Sequence, residues 1–152
     1  MTDFRALSET MLASPQITPA DVAEAKAQGV TLIVNNRPDG EEPSQTPGSE
    51  IEAAAREAGL DYIAIPVTSA GFSEPQVAAL EEALAQADGK VLGYCRSGTR
   101  STLLWSLAQT RGGEDPQAVA AAAASAGYDV SPIRPAMDMF AGRAQSEDPS
   151  EG

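Results

Sequence analysis

The chain has 152 residues, a formal net charge of −12, one cysteine and no histidine. That length suits one domain, and such acidity excludes a nucleic-acid footprint or an anionic membrane surface as partner. Without histidine there is no Ser-His-Asp triad, Cys-His dyad or imidazole metal site, and no acidic stretch has EF-hand spacing, so no metal or cofactor is expected.

Phe4 to Ala13 carries two short apolar pieces, Ala6-Leu7 and Met11-Leu12-Ala13, and reads as two short strands or a hairpin. Thr18 before Pro19 marks a helix start, and Val22, Ala25 and Ala27 carry that helix to Gly29. Val30 to Val34 is a β-branched run typical of a buried parallel strand. Residues 36–48 hold three prolines, two glycines and no apolar period, which predicts a loop. Ser49, with Glu52 three residues on, is the expected cap of a helix reaching Ala58. Tyr62 to Val67 is the next strand, and after the loop 68–72 a helix starts at Ser73-Glu74-Pro75 and ends near Gly89. Lys90 to Tyr94 is the last clear strand. Helices are predicted over Ser101 to Arg111, Pro116 to Ala126 and Ile133 to Phe140. The domain is expected to span 1–143, with the polar, acidic residues 144–152 as a disordered tail.

Strands alternating with helices at this spacing predict an α/β domain with a mostly parallel central sheet flanked by helices. Loops 35–48, 68–72 and 95–100 would then gather at the carboxyl ends of the strands, where such sheets bind ligands. No apolar run is long enough to span a bilayer, and Met1-Thr2-Asp3-Phe4-Arg5 lacks a secretory pattern. With a lone cysteine suited to a reducing compartment, the expectation is a soluble, cytoplasmic protein.

Cys95-Arg96-Ser97-Gly98-Thr99-Arg100 lies between a predicted strand and a predicted helix. Main-chain N–H groups of such a loop converge on one point, the helix N-terminus adds partial positive charge, and Arg96 and Arg100 add more. Cys95 is therefore expected to work as a thiolate. A lone cysteine elsewhere is usually a small buried hydrophobe; this setting argues for catalysis.

Tyr94 to Ser101 resembles the active loop shared by rhodanese sulfurtransferases and cysteine phosphatases. Together with Asn35-Asn36-Arg37-Pro38-Asp39-Gly40-Glu41-Glu42, it is similar to the phosphatase-like domain of the beta-lactamase-hydrolase-like protein family. The resemblance covers about residues 4–142 and implies a fold like that of dual-specificity phosphatases. In that family the domain stands alone or is joined to a persulfide dioxygenase, and the resemblance implies such a dioxygenase only as a candidate partner.

Cysteine phosphatases carry Cys-x5-Arg, whereas the spacing here is Cys-x4-Arg, the rhodanese size, with Ser101 where the longer motif needs arginine. The loop 67–72 also lacks the aspartate general acid that phosphatases of this fold place there, unless Asp39, Glu41 or Glu42 reaches across. Sulfur transfer needs no such acid, because its leaving group is a soft anion. The expected activity is thus a sulfurtransferase in which Cys95 takes sulfane sulfur from thiosulfate or glutathione persulfide and passes it to a thiol or cyanide. Phosphatase action on a phosphate ester through a phosphocysteine is the alternative, and an inactive anion-binding or interaction module is the third reading.

In these readings Cys95 is the nucleophile, and the amides of Arg96, Ser97, Gly98, Thr99 and Arg100 cradle the outer group. Arg100 binds the donor's anionic group or braces the loop, Ser101 hydrogen-bonds the thiolate, and Arg37, with Asn36 beside it, contacts substrate or anchors Glu41 or Glu42. Arg96 is as readily a solvent-facing charge, and residues 35–42 as readily a turn-rich connector. Trp105 reads as helix core, while Phe72 suits core or substrate contact equally.

Overall fold

A computed structural model describes residues 2–68 and 70–146. Strands β1 (Arg5–Ala6) and β2 (Met11–Ser14) form the expected antiparallel hairpin, with Arg5 opposite Ala13. Then come α1 (Pro19–Ala27), β3 (Val30–Asn35), α2 (Gly48–Glu57), β4 (Asp61–Ala64) and α3 (Glu74–Gln86). The chain continues through β5 (Lys90–Tyr94), α4 (Thr99–Arg111), α5 (Pro116–Ser125), a 3-10 turn (Ser131–Ile133) and α6 (Arg134–Ser146). The sheet order is β1-β2-β5-β3-β4, parallel except for β1.

Because successive side chains of a strand point to opposite faces, each apolar strand supplies two cores. Ile33, Leu92 and Tyr94 meet Val22 and Ala25 of α1 and Ile51 and Ala55 of α2 on one face. Val34, Val91 and Met11 meet Val77, Leu80, Leu104, Trp105 and Phe140 from α3, α4 and α6 on the other. Full burial of each large aliphatic side chain contributes about 1.5–3 kcal/mol, so the doubly covered sheet is the rigid part of the molecule. It is an α/β fold with a mostly parallel sheet, as the alternation of elements implies. Trp105 is buried core; Phe72, half-buried, packs against the same cluster.

Helix α4 lies between the sheet and α3, α5 and α6, and its buried face carries hydroxyls as well as apolar groups. Thr102 donates to the Gly98 carbonyl (2.9 Å), Ser106 to that of Thr102 (2.8 Å) and Thr110 to that of Ser106 (3.0 Å). Each hydroxyl is satisfied inside its own helix, so burying it costs little.

Several boundaries differ from the sequence reading. Ser49 does not cap α2: the helix begins at Gly48, whose amide donates to Asp39 Oδ1 (2.8 Å), and Glu52 pairs with Arg56 instead. Helix α4 starts at Thr99, not Ser101, with Gly98 as its cap. β4 stops at Ala64, two residues before Pro66, which has no N–H for a ladder. Helix α6 runs past Phe140 and Arg143 to Ser146, so residues 144–146 are helical; the rest of the expected tail lies outside the described residues. Among the described residues no helix is long and apolar enough to cross a membrane.

Candidate active site

The central strand β5 delivers Cys95 to the carboxyl edge of the sheet. There the chain is sewn to the end of β2: the Cys95 amide donates to the Ser14 carbonyl and the Gln16 amide to the Arg96 carbonyl, both at 3.3 Å. Gly98 takes φ +91°, a conformation glycine adopts freely, and this turns its amide back onto Cys95 Sγ at 3.0 Å. Helix α4 starts at the next residue, so its positive end faces the same sulfur. The cysteine is fully buried, yet its sulfur faces a main-chain donor and a helix N-terminus. The sulfur therefore has a polar partner and is not packed in hydrocarbon alone.

A side chain from the far end of the sequence completes the turn. Tyr128, after α5, donates to the Ser97 carbonyl (3.3 Å), and its hydroxyl lies so close to Gly98 that a Cβ there would overlap it. Burial lifts the Tyr128 pKa above its ordinary value, and the nearby Cys95 sulfur pushes the same way. Arg5 covers the ring at 5.3 Å.

Residues 36–48, the facing loop, leave β3 and bring charge to the same edge. Arg37 is buried and donates through Nε to Glu41 Oε1 (2.9 Å), through Nη2 to Glu42 Oε1 (3.1 Å) and through Nη1 to Gln16 Oε1 (3.0 Å). Both glutamates reach on to the cysteine loop. Glu41 grips Arg100 with both oxygens, at 2.8 Å from Nη1 and 2.9 Å from Nη2, while Glu42 meets Arg96 Nε at 2.8 Å. Arg100 Nη1 also donates to the Val67 carbonyl at 2.7 Å. The Arg100 hydrogen bonds, followed by those of Arg37, pull the Glu41 carboxyl down to about 2. Reciprocally, Glu41 foremost, then the Cys95 sulfur, holds the Arg100 guanidinium above its ordinary value.

Beneath this charged layer, Asn36 ties the two loops together. Its amide donates to the Tyr94 carbonyl (2.9 Å), its Nδ2 to the Ile65 carbonyl (2.9 Å), and its Oδ1 accepts from Ser101 Oγ (2.7 Å).

The structure thus brings Cys95, Arg96, Gly98, Arg100, Asn36, Arg37, Glu41 and Ser101 to one edge. Several have other work than expected. Ser101 gives its proton to Asn36, not to the Cys95 sulfur. Asn36 and Arg37 spend their donors on internal partners, so both serve as scaffold and Arg37 is the anchor of Glu41 and Glu42. Asp39 holds the amide of Gly48 and Glu41 holds two arginines, so neither is placed as a proton donor. Ser97 Oγ lies 3.0 Å from the Thr99 hydroxyl and accepts from the Thr99 amide at 3.4 Å, an exposed pair at the mouth of the loop. Arg96 is the most exposed arginine of the group, at 71% of its side chain. Tyr128 and Gln16 were not legible as site residues, since nothing in their local sequence marks them; only the fold brings them there.

A buried cysteine at the end of a central parallel strand, under the N-terminus of a long helix with an arginine in its first turn, defines a cysteine-phosphatase-like domain. Residues 3–112 match the family described as beta-lactamase hydrolase-like protein, phosphatase-like domain, and the chain belongs to that family. A "Beta-lactamase hydrolase-like protein" of Agrobacterium fabrum is 36% identical over 107 residues. The match takes in 70% of this chain but only about a quarter of that relative's length. A putative phosphatase of Neisseria meningitidis has the same fold, with TM-score 0.80, 31% identity and coverage of 92% of this chain and 99% of that one. PTPMT1, solved in complex with PI(5)P, is alike in fold alone: TM-score 0.68, 14% identity, 93% of this chain and 98% of that one.

Proposed function

We propose that this domain is a cysteine-dependent sulfurtransferase. The Cys95 thiolate attacks the outer sulfur of a donor, a new S–S bond forms, and the donor's S–S bond breaks, with the electron pair leaving on sulfite or a thiolate. An acceptor thiolate, or cyanide, then attacks the outer sulfur of the Cys95 persulfide and returns the thiolate. The Gly98 amide and the start of α4 stabilise the anion at both ends of this cycle. The lone cysteine suits a carrier working in a reducing cytoplasm, where no second thiol of the chain can resolve the persulfide.

The observation that carries this reading is the absence, among the described residues, of an acid poised to protonate a leaving group. Asp39 caps α2, and Glu41, pulled down to about 2, is a carboxylate at any physiological pH. General acid help is worth about 10²–10⁴-fold to ester cleavage and nothing to sulfur exchange between thiolates. The short Cys-x4-Arg spacing supports the same choice.

Phosphoryl transfer is the second reading, and the relatives favour it more directly: the Neisseria protein is titled a putative phosphatase, and PTPMT1 was solved with a phosphate ester. The two readings differ in product. Purified chain given thiosulfate or glutathione persulfide with cyanide should release thiocyanate, and an aryl phosphate should release no phosphate. Cys95→Ser should abolish the first reaction by about 10³-fold or more. Phosphate release without thiocyanate would reverse the assignment, and silence in both would leave a binding module.

A further inference from the structure

Arg100 is the residue that should greet an anionic substrate, yet its guanidinium already holds a carboxylate. Three of its five N–H groups are spent, two on Glu41 and one on the Val67 carbonyl. Arg96, the other cation of the cysteine loop, is paired with Glu42. Neither glutamate is a loose surface group, because buried Arg37 holds one oxygen of each. The turn beneath them is pinned as well: the Glu41 amide donates to Gln45 Oε1 (3.0 Å) and Gln45 Nε2 to the Pro38 carbonyl (2.9 Å). The mouth above Cys95 therefore carries a fixed internal anion.

We propose that Glu41 is the specificity-determining residue of the Cys95 site: by occupying Arg100 it disfavours doubly charged oxyanions, thiosulfate among them, and favours donors whose reacting end is a persulfide sulfur. A phosphate monoester or thiosulfate dianion that sought Arg100 would have to break two hydrogen bonds of 2.8 and 2.9 Å and then sit beside the displaced carboxylate. Like charges brought together this way repel, which weakens binding of the dianion. A persulfide needs no arginine fork, since its outer sulfur carries at most one charge and has only to reach the Cys95 sulfur, which the Gly98 amide already meets. Glu41 stays ionised throughout the physiological range, so the filter works at any cellular pH. This selectivity rests on the reading of Cys95 as an acceptor of a transferred group, and it narrows that reading to thiol persulfides over thiosulfate.

The test is calorimetric titration of the full chain with inorganic phosphate and with thiosulfate, in the native protein, Glu41→Gln and Glu41→Ala. The native protein should bind both anions more weakly than about 1 mM. Each variant, checked for an intact cooperative melt, should gain about tenfold or more in affinity, and its ratio of kcat/KM for thiosulfate over glutathione persulfide should rise by a similar factor. Unchanged or weakened anion binding in the variants would show that Glu41 only braces Arg100, and would overturn the proposal. Should the variants fail to fold, native binding of phosphate tighter than about 1 mM overturns it alone, and weaker binding supports it. The titration does not depend on turnover: a chain that transfers no sulfur but gains anion affinity in the variants keeps the filter and loses the sulfurtransferase.

Discussion

The two loops that meet over Cys95 are built on opposite plans. The cysteine loop, closing β5 onto α4, shapes itself with main chain: carbonyls of Ser14 and Arg96 in the seam to β2, the Gly98 amide on sulfur, and a glycine at φ +91° to permit the turn. The facing loop shapes itself with side chains: Arg37 buried among Glu41, Glu42 and Gln16, Asp39 on the amide of Gly48, Gln45 across the turn. Main-chain donors sit at fixed distances whatever the side chains, so they suit the reacting atom. Side-chain charge is tunable by substitution, so it suits the choice of what enters.

Glycine substitutions give the sharpest contrast, because both loops use a glycine at positive φ. Gly98→Ala places a Cβ against the Tyr128 hydroxyl as well as straining the backbone, whereas Gly40, at φ +79°, has nothing within 4 Å. Left-handed backbone costs an alanine about 1–2 kcal/mol, and overlap in a packed site adds about 1–3. Gly98→Ala should therefore lose about 3 kcal/mol in denaturant unfolding and Gly40→Ala about 1. Equal losses would mean that the cysteine loop is no more tightly specified than its neighbour.

Removing Arg37 attacks the side-chain plan at its root. Arg37→Met keeps most of the buried volume but leaves two glutamates without their anchor. Since those glutamates are partly exposed, at 29% and 39%, water takes up some of the loss, and about 2 kcal/mol is expected rather than the full value of a broken buried pair. The same variant should leave the Gly98 amide on the sulfur, so slow hydrogen exchange at that amide should persist. If that protection collapses together with stability, the two plans are not separable.

Acid should act on the facing loop through Glu41. Glu41 is held at about 2 against an ordinary 4.5. A carboxyl depressed on folding gives stability that is complete above its unfolded value and is lost as pH falls toward its folded value. Between about pH 4.5 and 2.5 the native protein's melting temperature should thus fall more steeply than that of Glu41→Gln. Parallel slopes would show that the Arg37–Glu41–Arg100 chain adds nothing to folding.

How far each plan could be read in advance follows from its physics. The cysteine loop was legible because its logic is local: strand, glycine, helix start and arginine spacing all lie between Lys90 and Arg111. Even there the helix begins two residues early, since Thr99 and Arg100 are compatible with either state and Gly98 decides. The facing loop was legible as a loop, and Arg37 as one of two things, but its partners depend on where Glu41 and Gln16 fall in space. Asp39 rather than Ser49 meets the start of α2, because a side chain nine residues back reaches the Gly48 amide, and no capping pattern in sequence describes that. Ser101 was misassigned for a similar reason: its acceptor, Asn36, sits on a different strand's end.

Tyr128 is the smallest expected effect and the one that tests the division of labour most closely, since it is a side chain serving the main-chain loop. Its hydroxyl donates to the Ser97 carbonyl over a long 3.3 Å, so Tyr128→Phe should cost only about 0.5–1 kcal/mol of stability. The ring, its burial and its contact with Arg5 would remain. What should change is local: with Ser97 released on one side, the next peptide can rock, and hydrogen exchange at the Gly98 amide should quicken while exchange in β5 stays as it was. On the sulfurtransferase reading, turnover should slow in proportion, because that amide is the donor on the sulfur. If Gly98 exchanges no faster in Tyr128→Phe, the turn is held by its seam to β2 and by its glycine alone. Tyr128 is then core, and the turn at Gly98 owes nothing to it.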